Sequence, residues 1–450
     1  MKSLLLLAVL AVPAAAQDST AAQRTAAATA AAARRAYLDS LPTNTVRLLV
    51  KRLELEKYKE TLRGLAQFGD RRQGTERNRK AVDWIEAQLK SYGCPTERVI
   101  YQYTGRQLRN DSTDRVDSLA GHPRPPRAGR GGAAGGRGAA GGGAGAAGGG
   151  RGRGATVDGV NYDQNGDVIK GFRARTGVNT NPMLQPDTAI RRIDAEWDTP
   201  GERQEVFCTK VGTTHPEEMY IIGAHMDGHG YGQAINDDGS GTALVMELAR
   251  VFSSADVTTD RTIRFALWNN EETGLNGAKA YADQRAKLQG IENPKGSGKY
   301  PEPKWLGMIQ HDMMMWDHGM PRADSTWAPE QRPEADVNIE FRDTSKYAAG
   351  AEKLAWFFRR MNDKYATDYP AAVGDRMTNT DSDPFMQLTP AISLRENERG
   401  AQTGTGWNPT WHQPIDVLST FSDKDFRLGL NAAQTTLSAI ATLTGAKLKK

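Results

Sequence analysis

Between residues 219 and 312, three short apolar runs each stop abruptly at residues able to bind a metal ion. Tyr220 to Ala224 reads as a buried parallel strand and ends in His225-Met226-Asp227. Side chains alternate along a strand, so positions 225 and 227 share a face at its C-terminal end. Thr262 to Trp268 predicts a second strand, which breaks into Asn269-Asn270-Glu271-Glu272-Thr273-Gly274. Trp305 to Ile309 predicts a third and ends in His311-Asp312. Between the first and second lies the acidic turn Asn236-Asp237-Asp238-Gly239-Ser240-Gly241. It runs into a helix whose Leu244, Leu248, Val251 and Phe252 keep one apolar face. Open α/β sheets place their ligand crevice at the C-terminal ends of the strands, where these groups are delivered.

The rest of the chain supplies a frame for that stretch. Residues 43–66 read as helical, with Val46, Leu49, Leu53, Leu62 and Leu65 facing a core. A helix over about 76–92 buries Val82, Ile85 and Leu89 and stops at Gly93. Val99 to Tyr103 predicts a strand. Glu205 to Val211 predicts another, and residues 212–218 read as a turn that makes a hairpin from a sheet edge to its middle. Residues 317–335 look loop-like. A helix over 345–364 carries Leu354, Phe357, Phe358 and Met361. Ala391 to Leu394 is a short strand, followed by a loop to Trp411-His412-Gln413-Pro414. The closing helix, about 423–443, buries Phe426, Leu430, Leu437 and Ile440. Strands alternating with helices of this length predict the α/β class: a three-layer α/β/α sandwich with a mostly parallel mixed central sheet.

Composition changes this picture at the N-terminal side. The hydrophobic share is 38%, low because an Ala-rich lead-in (17–42) and a Gly/Ala/Arg/Pro tract dilute it. From Gly121 to Gly154 the chain cannot bury enough apolar surface to offset its ordering entropy, so it reads as a disordered insertion. With the polar stretch that follows, residues 121–200 form an insertion between two parts of one domain, 43–120 and 201–445. Arg/Gly tracts also occur in nucleic-acid binders, but this one lacks interleaved aromatics. The formal charge of +4 likewise argues against a nucleic-acid partner or an anionic membrane surface.

Met1-Lys2-Ser3, the apolar run Leu4 to Val12 and Pro13-Ala14-Ala15-Ala16 have the parts of a secretory signal peptide, residues 1–16, with cleavage expected after Ala16. The run is short of the roughly 20 residues a bilayer needs, so no stable membrane insertion is expected after cleavage, and the protein is placed in the periplasm or outside the cell. Export permits a disulfide between Cys94 and Cys208; two buried thiols are the alternative.

A His at a strand end or a Glu pair in a loop is ordinary by itself. The joint set His225, Asp237, Glu272, Asp312 and His412 is not, because every member falls at a strand end or adjoining loop. Two imidazoles with three carboxylates suit borderline divalent ions, zinc above all. Five ligands exceed one tetrahedral catalytic site and suffice for two ions if a carboxylate bridges. Such a site needs a carboxylate that is not a ligand, and Glu271 stands beside Glu272.

These residues resemble the co-catalytic zinc aminopeptidases, metallopeptidase family twenty-eight, which includes bacterial leucyl aminopeptidases and carboxypeptidase Q. The family's pattern is matched by His225-Met226-Asp227, Asp237 in its acidic Gly/Ser turn, Glu271-Glu272, Asp312 and His412, in order. Arg72-Gln73-Gly74-Thr75 and Trp84-Ile85 are also family-like. The resemblance implies a zinc-exopeptidase (phosphorylase/hydrolase-like) fold and two Zn2+ per chain. Asp237 would bridge, with His225 and Asp312 on one ion and Glu272 and His412 on the other. Glu271 would be the general base, Asp227 the carboxylate orienting His225, and peptides the substrates. The family's usual Ser-Asp-His segment reads Ser382-Asp383-Pro384 here, and no counterpart is evident for the Tyr some members use on the substrate carbonyl. His229 and His311 match no ligand position.

The leading expectation is therefore an exported di-zinc aminopeptidase. A carboxypeptidase or dipeptidase keeps the same chemistry at another peptide end. A glutaminyl cyclase-like transferase or a catalytically inactive binding ectodomain are rival classes, and the complete ligand set argues against both.

Overall fold

The structure is a computed structural model that describes residues 29, 32–104, 156–157, 160–161, 178–317, 337–377, 379–396, 408 and 410–449. The signal-like segment, the Gly-rich tract and most of the loop expected at 317–335 lie outside the described residues.

An eight-stranded mixed sheet carries the site. Its strands are β1 (Thr96–Tyr103), β2 (Gly201–Lys210), β3 (His215–His225), β4 (Arg261–Trp268), β5 (Lys304–His311), β6 (Val337–Glu340), β7 (Ala371–Gly374) and β8 (Ala391–Glu396), in the order β1-β2-β4-β3-β5-β8-β6-β7. The centre, β4-β3-β5-β8, is parallel, while β1 and β2 add antiparallel strands on one side and β8 pairs antiparallel with β6 on the other. The helices include α1 (Thr45–Val50), α2 (Leu55–Ala66), α3 (Glu76–Ser91), α4 (Thr188–Asp194), α5 (Gly241–Phe252), α6 (Asn276–Arg285), α7 (Ala348–Tyr365) and α8 (Asp423–Leu443).

Strand alternation sorts the core into two layers. Ile222, Ala224, Ile263, Phe265, Leu267 and Ile309 pack against α1–α3, α5, α7 and α8 on one face. Ile221, Ala266, Trp268 and Met308 turn to the other face, where α6 and Phe385 cover them. Every residue named here is buried, so both faces of the central strands are dry, as a parallel sheet requires. This is the expected α/β/α arrangement.

Two expectations need correction. The 212–218 turn does not make a hairpin, because β4 lies between β2 and β3. The apolar run of β4 supplies an antiparallel partner to β2 and a parallel one to β3. The connection steps across its start, tied by Thr213 N–H to the Thr259 carbonyl (2.8 Å) and His215 N–H to the Asp260 carbonyl (2.7 Å). Gly212 makes the crossing feasible: a Cβ there would stand 2.6 Å from the Arg261 carbonyl carbon. The helix expected over 43–66 is two helices. Asn44 caps α1 through Arg47 N–H, the chain turns at Lys51–Arg52, and Leu53 is buried between the two helices. The polar stretch ending at 200 contains α4, capped by the Asp187 carboxylate, which accepts from Ala189 and Ile190 N–H. The short strands β6 and β7 and the helix α6 had no clear periodic signal. Cys94 and Cys208 are joined in a disulfide that ties the end of α3 to β2.

Candidate metal centre

Register places the first ligands. His225 pairs with Trp268 across β3–β4, so the next residues on that side are Asn269, Asn270 and the Glu pair. Ala224 pairs with His311 across β3–β5, which sets Asp312 level with His225. On the far side Leu394 of β8 pairs with His311, bringing Arg395 beside Asp312. Four neighbouring strands thus end at one height with complementary groups.

The His225 side is held from several directions. Its ring Nδ1–H donates to the Asp227 carbonyl at 3.0 Å, which leaves Nε2 as the lone-pair atom. That atom lies 3.4 Å from Asp237 Oδ1 and 3.9 Å from Asp312 Oδ1. The Asp227 carboxylate stands 3.9 Å from the same imidazole and accepts the N–H groups of Glu271 (3.0 Å) and Glu272 (3.4 Å). It fixes the loop that carries both glutamates. Arg395 Nη2 reaches Asp312 Oδ2 at 3.1 Å, aiming the other oxygen of Asp312 toward His225.

His412 approaches from the C-terminal loop. Its Nε2 is 3.1 Å from Asp237 Oδ2 and 2.7 Å from Glu272 Oε2, and Trp411 stacks on its ring at 3.9 Å. The two oxygens of Asp237 therefore face different imidazoles. The Glu271 carboxylate lies within 4.8 Å of the ligand atoms of His225 and Asp312, and Glu272 within the same reach of His225 and Asp237. All five expected ligands and Glu271 line one small cavity, together with Met313, Asn379 and Trp411.

The donor chemistry fits divalent cations. Asp227, Asp237, Asp238, Glu271, Glu272, Asp312 and Asp381 crowd this buried region, where Arg395 pairs with Asp312 and the buried Arg71 lies near Asp227 and Asp238. Charges so desolvated need compensation. Asp237 Oδ2 and Glu272 Oε1 are buried and accept no hydrogen bond from the described residues. Burial, with Asp381, Glu272 and Asp312 nearby, raises the Glu271 carboxyl well above the usual range despite His225. Burial likewise raises Glu272 to about 7 against the pull of His412. Burial alone would push the imidazoles down, but the surrounding carboxylates lift His225 well above its usual value and His412 to about 10. Metal binding would take the place of these protons, since imidazole ligates in its neutral form.

Several supporting residues escaped the sequence reading. Asp238 accepts from His225 N–H (3.2 Å), Gly241 N–H (2.9 Å) and Met313 N–H (3.2 Å), joining β3, α5 and the segment after β5. Asp416 accepts from Asn236 N–H (2.8 Å) and Asp237 N–H (3.1 Å), fixing the turn that presents Asp237. Asp381, one residue before the Ser382-Asp383-Pro384 segment, is the buried acid of that stretch: Gln310 Nε2 donates to it at 3.3 Å, while Asp383 turns toward Arg342. The available signals were weak: an acidic doublet for Asp238, an Arg ending an apolar strand for Arg395. His311 is a satisfied core residue, bonded to the Gly223 carbonyl and Thr436 Oγ1. His229 packs edge-on to the His412 ring at 5.6 Å and belongs to no candidate ligand group among the described residues.

Comparison with known proteins finds peptidases, by sequence and by fold. Over 83 residues the chain is 39% identical to leupeptin-inactivating enzyme 1 of Streptomyces exfoliatus, covering 17% of this chain and 19% of that protein. It is 42% identical over 75 residues to aminopeptidase YwaD of Bacillus subtilis, covering 17% and 16%. With carboxypeptidase Q of Xenopus laevis the identity is 34% over 77 residues, covering 17% and 16%. The chain thus matches less than a fifth of the length of these curated relatives. Among solved structures, an aminopeptidase from Aneurinibacillus sp. strain AM-1 superposes with a TM-score of 0.51 at 19% identity, covering 90% of this chain and 97% of that one. A zinc aminopeptidase from Bacillus subtilis gives 0.52 at 14%, covering 88% and 96%. At these identities the likeness establishes the fold. Among the described residues no helix is long and apolar enough to cross a membrane. The model of Peptidase family M28 matches residues 206–434, just over half of the chain and all five candidate ligands, and the chain belongs to that family.

Proposed function

We propose that this protein is an exported zinc exopeptidase that removes residues from the free amino end of peptides. The observation that carries the choice of end is the lining of the cavity. It presents the carboxylates Asp237, Glu271, Glu272 and Asp312, and no Lys or Arg among the described residues. Of these, Glu271 alone is not a proposed ligand, so with metal bound it is the carboxylate left to accept from a peptide's free amino group, whereas a C-terminal carboxylate finds no cationic side chain in the lining. Arg395 is buried behind Asp312 and engaged with it.

His225, Asp312 and Asp237 would hold one zinc ion, and Glu272, His412 and Asp237 a second. The split of the two Asp237 oxygens between the two imidazoles supports a bridging role. When bound, such a pair of ions lowers the pKa of water and offsets negative charge developing on the scissile carbonyl. Glu271 then acts as general base, taking the proton of the attacking water and delivering it to the leaving amine. Asp227 positions that base through its two backbone bonds and holds the His225 tautomer through its carbonyl.

One peptidase domain would be built from residues 43–120 and 201–445, with 121–200 inserted in the connection between β1 and β2, adjacent antiparallel strands. The Cys94–Cys208 disulfide supports export, because such bonds persist in oxidising compartments. The test is a matched pair of peptides, one with a free N-terminus and one acetylated. The expected result is stepwise release of N-terminal residues from the first and none from the second. Equal cleavage of both would replace this reading with a carboxypeptidase or endopeptidase.

A further inference from the structure

His225 sits at the end of a hydrogen-bonded strand with its ring Nδ1 anchored, but His412 has neither support. It lies in a loop at φ +55, a left-handed conformation that a non-glycine residue keeps only where its surroundings impose it. Its buried Nδ1 has no hydrogen-bond partner among the described residues. The direction of the ring is therefore set by its backbone, by stacking on Trp411 and by the carboxylates that face Nε2.

That backbone is clamped by a segment outside the family's matched region. Asn179 N–H donates to the His412 carbonyl at 3.0 Å, and Asn179 Nδ2 donates to the Gly230 carbonyl at 3.0 Å. Six residues on, the Gln185 Nε2 amide donates to both the Tyr231 carbonyl (2.7 Å) and the Pro414 carbonyl (2.8 Å). Asn179 and Gln185 thus tie the 228–232 loop to the 411–414 loop, at His412 itself and at Pro414 two residues on. Between these ties Gly230 lies against the His412 backbone, so closely that a Cβ would stand 2.4 Å from its carbonyl. The far end of the segment is fixed to the body of the domain: Asp194 accepts Asp70 N–H at 3.0 Å and lies 3.6 Å from Arg77 Nε.

We infer that residues 178–187 form a positioning strap for His412, with Asn179 and Gln185 as positioning residues that set how tightly the ion on that side is held. The inference rests on the proposed ligand assignment. It gives the C-terminal end of the insertion a role in the metal centre that the ligand motif does not require.

The experiment loads the full-length protein with zinc and follows release of each ion into excess chromophoric chelator. Gln185→Glu keeps the shape of the side chain but aims carboxylate oxygens at two carbonyls, and Asn179→Asp does the same toward Gly230. The expected result is two ions in the wild type, with one bound about 10–100-fold more weakly in each variant and the other unchanged. Circular dichroism melts of the zinc-free proteins identify a variant that has lost its fold, and the remaining variant then carries the comparison. Release of both ions at the wild-type rate, or loosening of both together, overturns the strap while leaving the two-ion site intact. Wild type that takes up no zinc overturns the ligand assignment and the strap with it.

Discussion

His225 and His412 present the same atom, Nε2, to opposite oxygens of one carboxylate, and they are held there by different means. The His225 arm belongs to the sheet. Its backbone N–H is fixed by Asp238, its carbonyl by Thr242 Oγ1 at 2.8 Å, its ring by Asp227, and its height by pairing with β4 and β5. The His412 arm belongs to loops. Its position depends on contacts with residues 179, 185, 230 and 411, which are far apart in sequence and lack a periodic pattern. One arm draws on the cooperative stability of the core; the other is set by a few local bonds. Rigidity at a site can thus come from the body of a domain or from a clamp, and the two should fail differently.

The largest expected effect lies between the arms. Glu271→Gln removes the proposed base without removing a ligand, so turnover should fall by about 10²–10⁴-fold with metal content unchanged. Steady-state kinetics alongside elemental analysis checks this, and wild-type turnover would remove Glu271 from the mechanism. Next, Ile222→Ala takes a fully buried side chain from the strand that ends in His225. It should cost about 2–5 kcal/mol of global stability, read by denaturant unfolding, because the strand arm cannot loosen without the core.

Gly230→Ala attacks the other arm. The new methyl group meets the His412 backbone, and the glycine itself sits at φ +101. Zinc retention on that side should drop about 10–100-fold by chelator competition while most of the unfolding free energy remains. A global loss matching that of Ile222→Ala would erase the distinction between the arms. The smallest effect sharpens it: Thr242→Val deletes one bond to the His225 carbonyl and should cost about 0.5–1.5 kcal/mol without altering zinc release, since strand pairing still fixes the imidazole.

The same contrast explains what could be read from the chain. Strand-borne groups were legible because an apolar run ending in His225, Trp268 or His311 states both the element and the height of its end. The order of the strands was not, since a short turn after β2 reads as a hairpin unless β4 is known to intervene. Asp238 and Asp416 act through backbone N–H groups and Asp381 through the Gln310 side-chain amide, and no local spacing marks such bonds. Asn179 and Gln185 sit in a polar stretch whose composition suggested only an insertion. A burial pattern repeats and can be recognised; a tertiary hydrogen bond between loops does not.

His412 follows every strand of the sheet, and 187 residues separate it from His225. A growing chain that has been translated through β8 holds the complete sheet and four of the five proposed ligands, yet lacks the imidazole opposite Glu272. Under the proposed function, the hydrolytic centre is therefore completed only when the last stretch before α8 has been synthesised and folded back across the sheet. That delay places the onset of peptidase activity after the body able to hold it has formed.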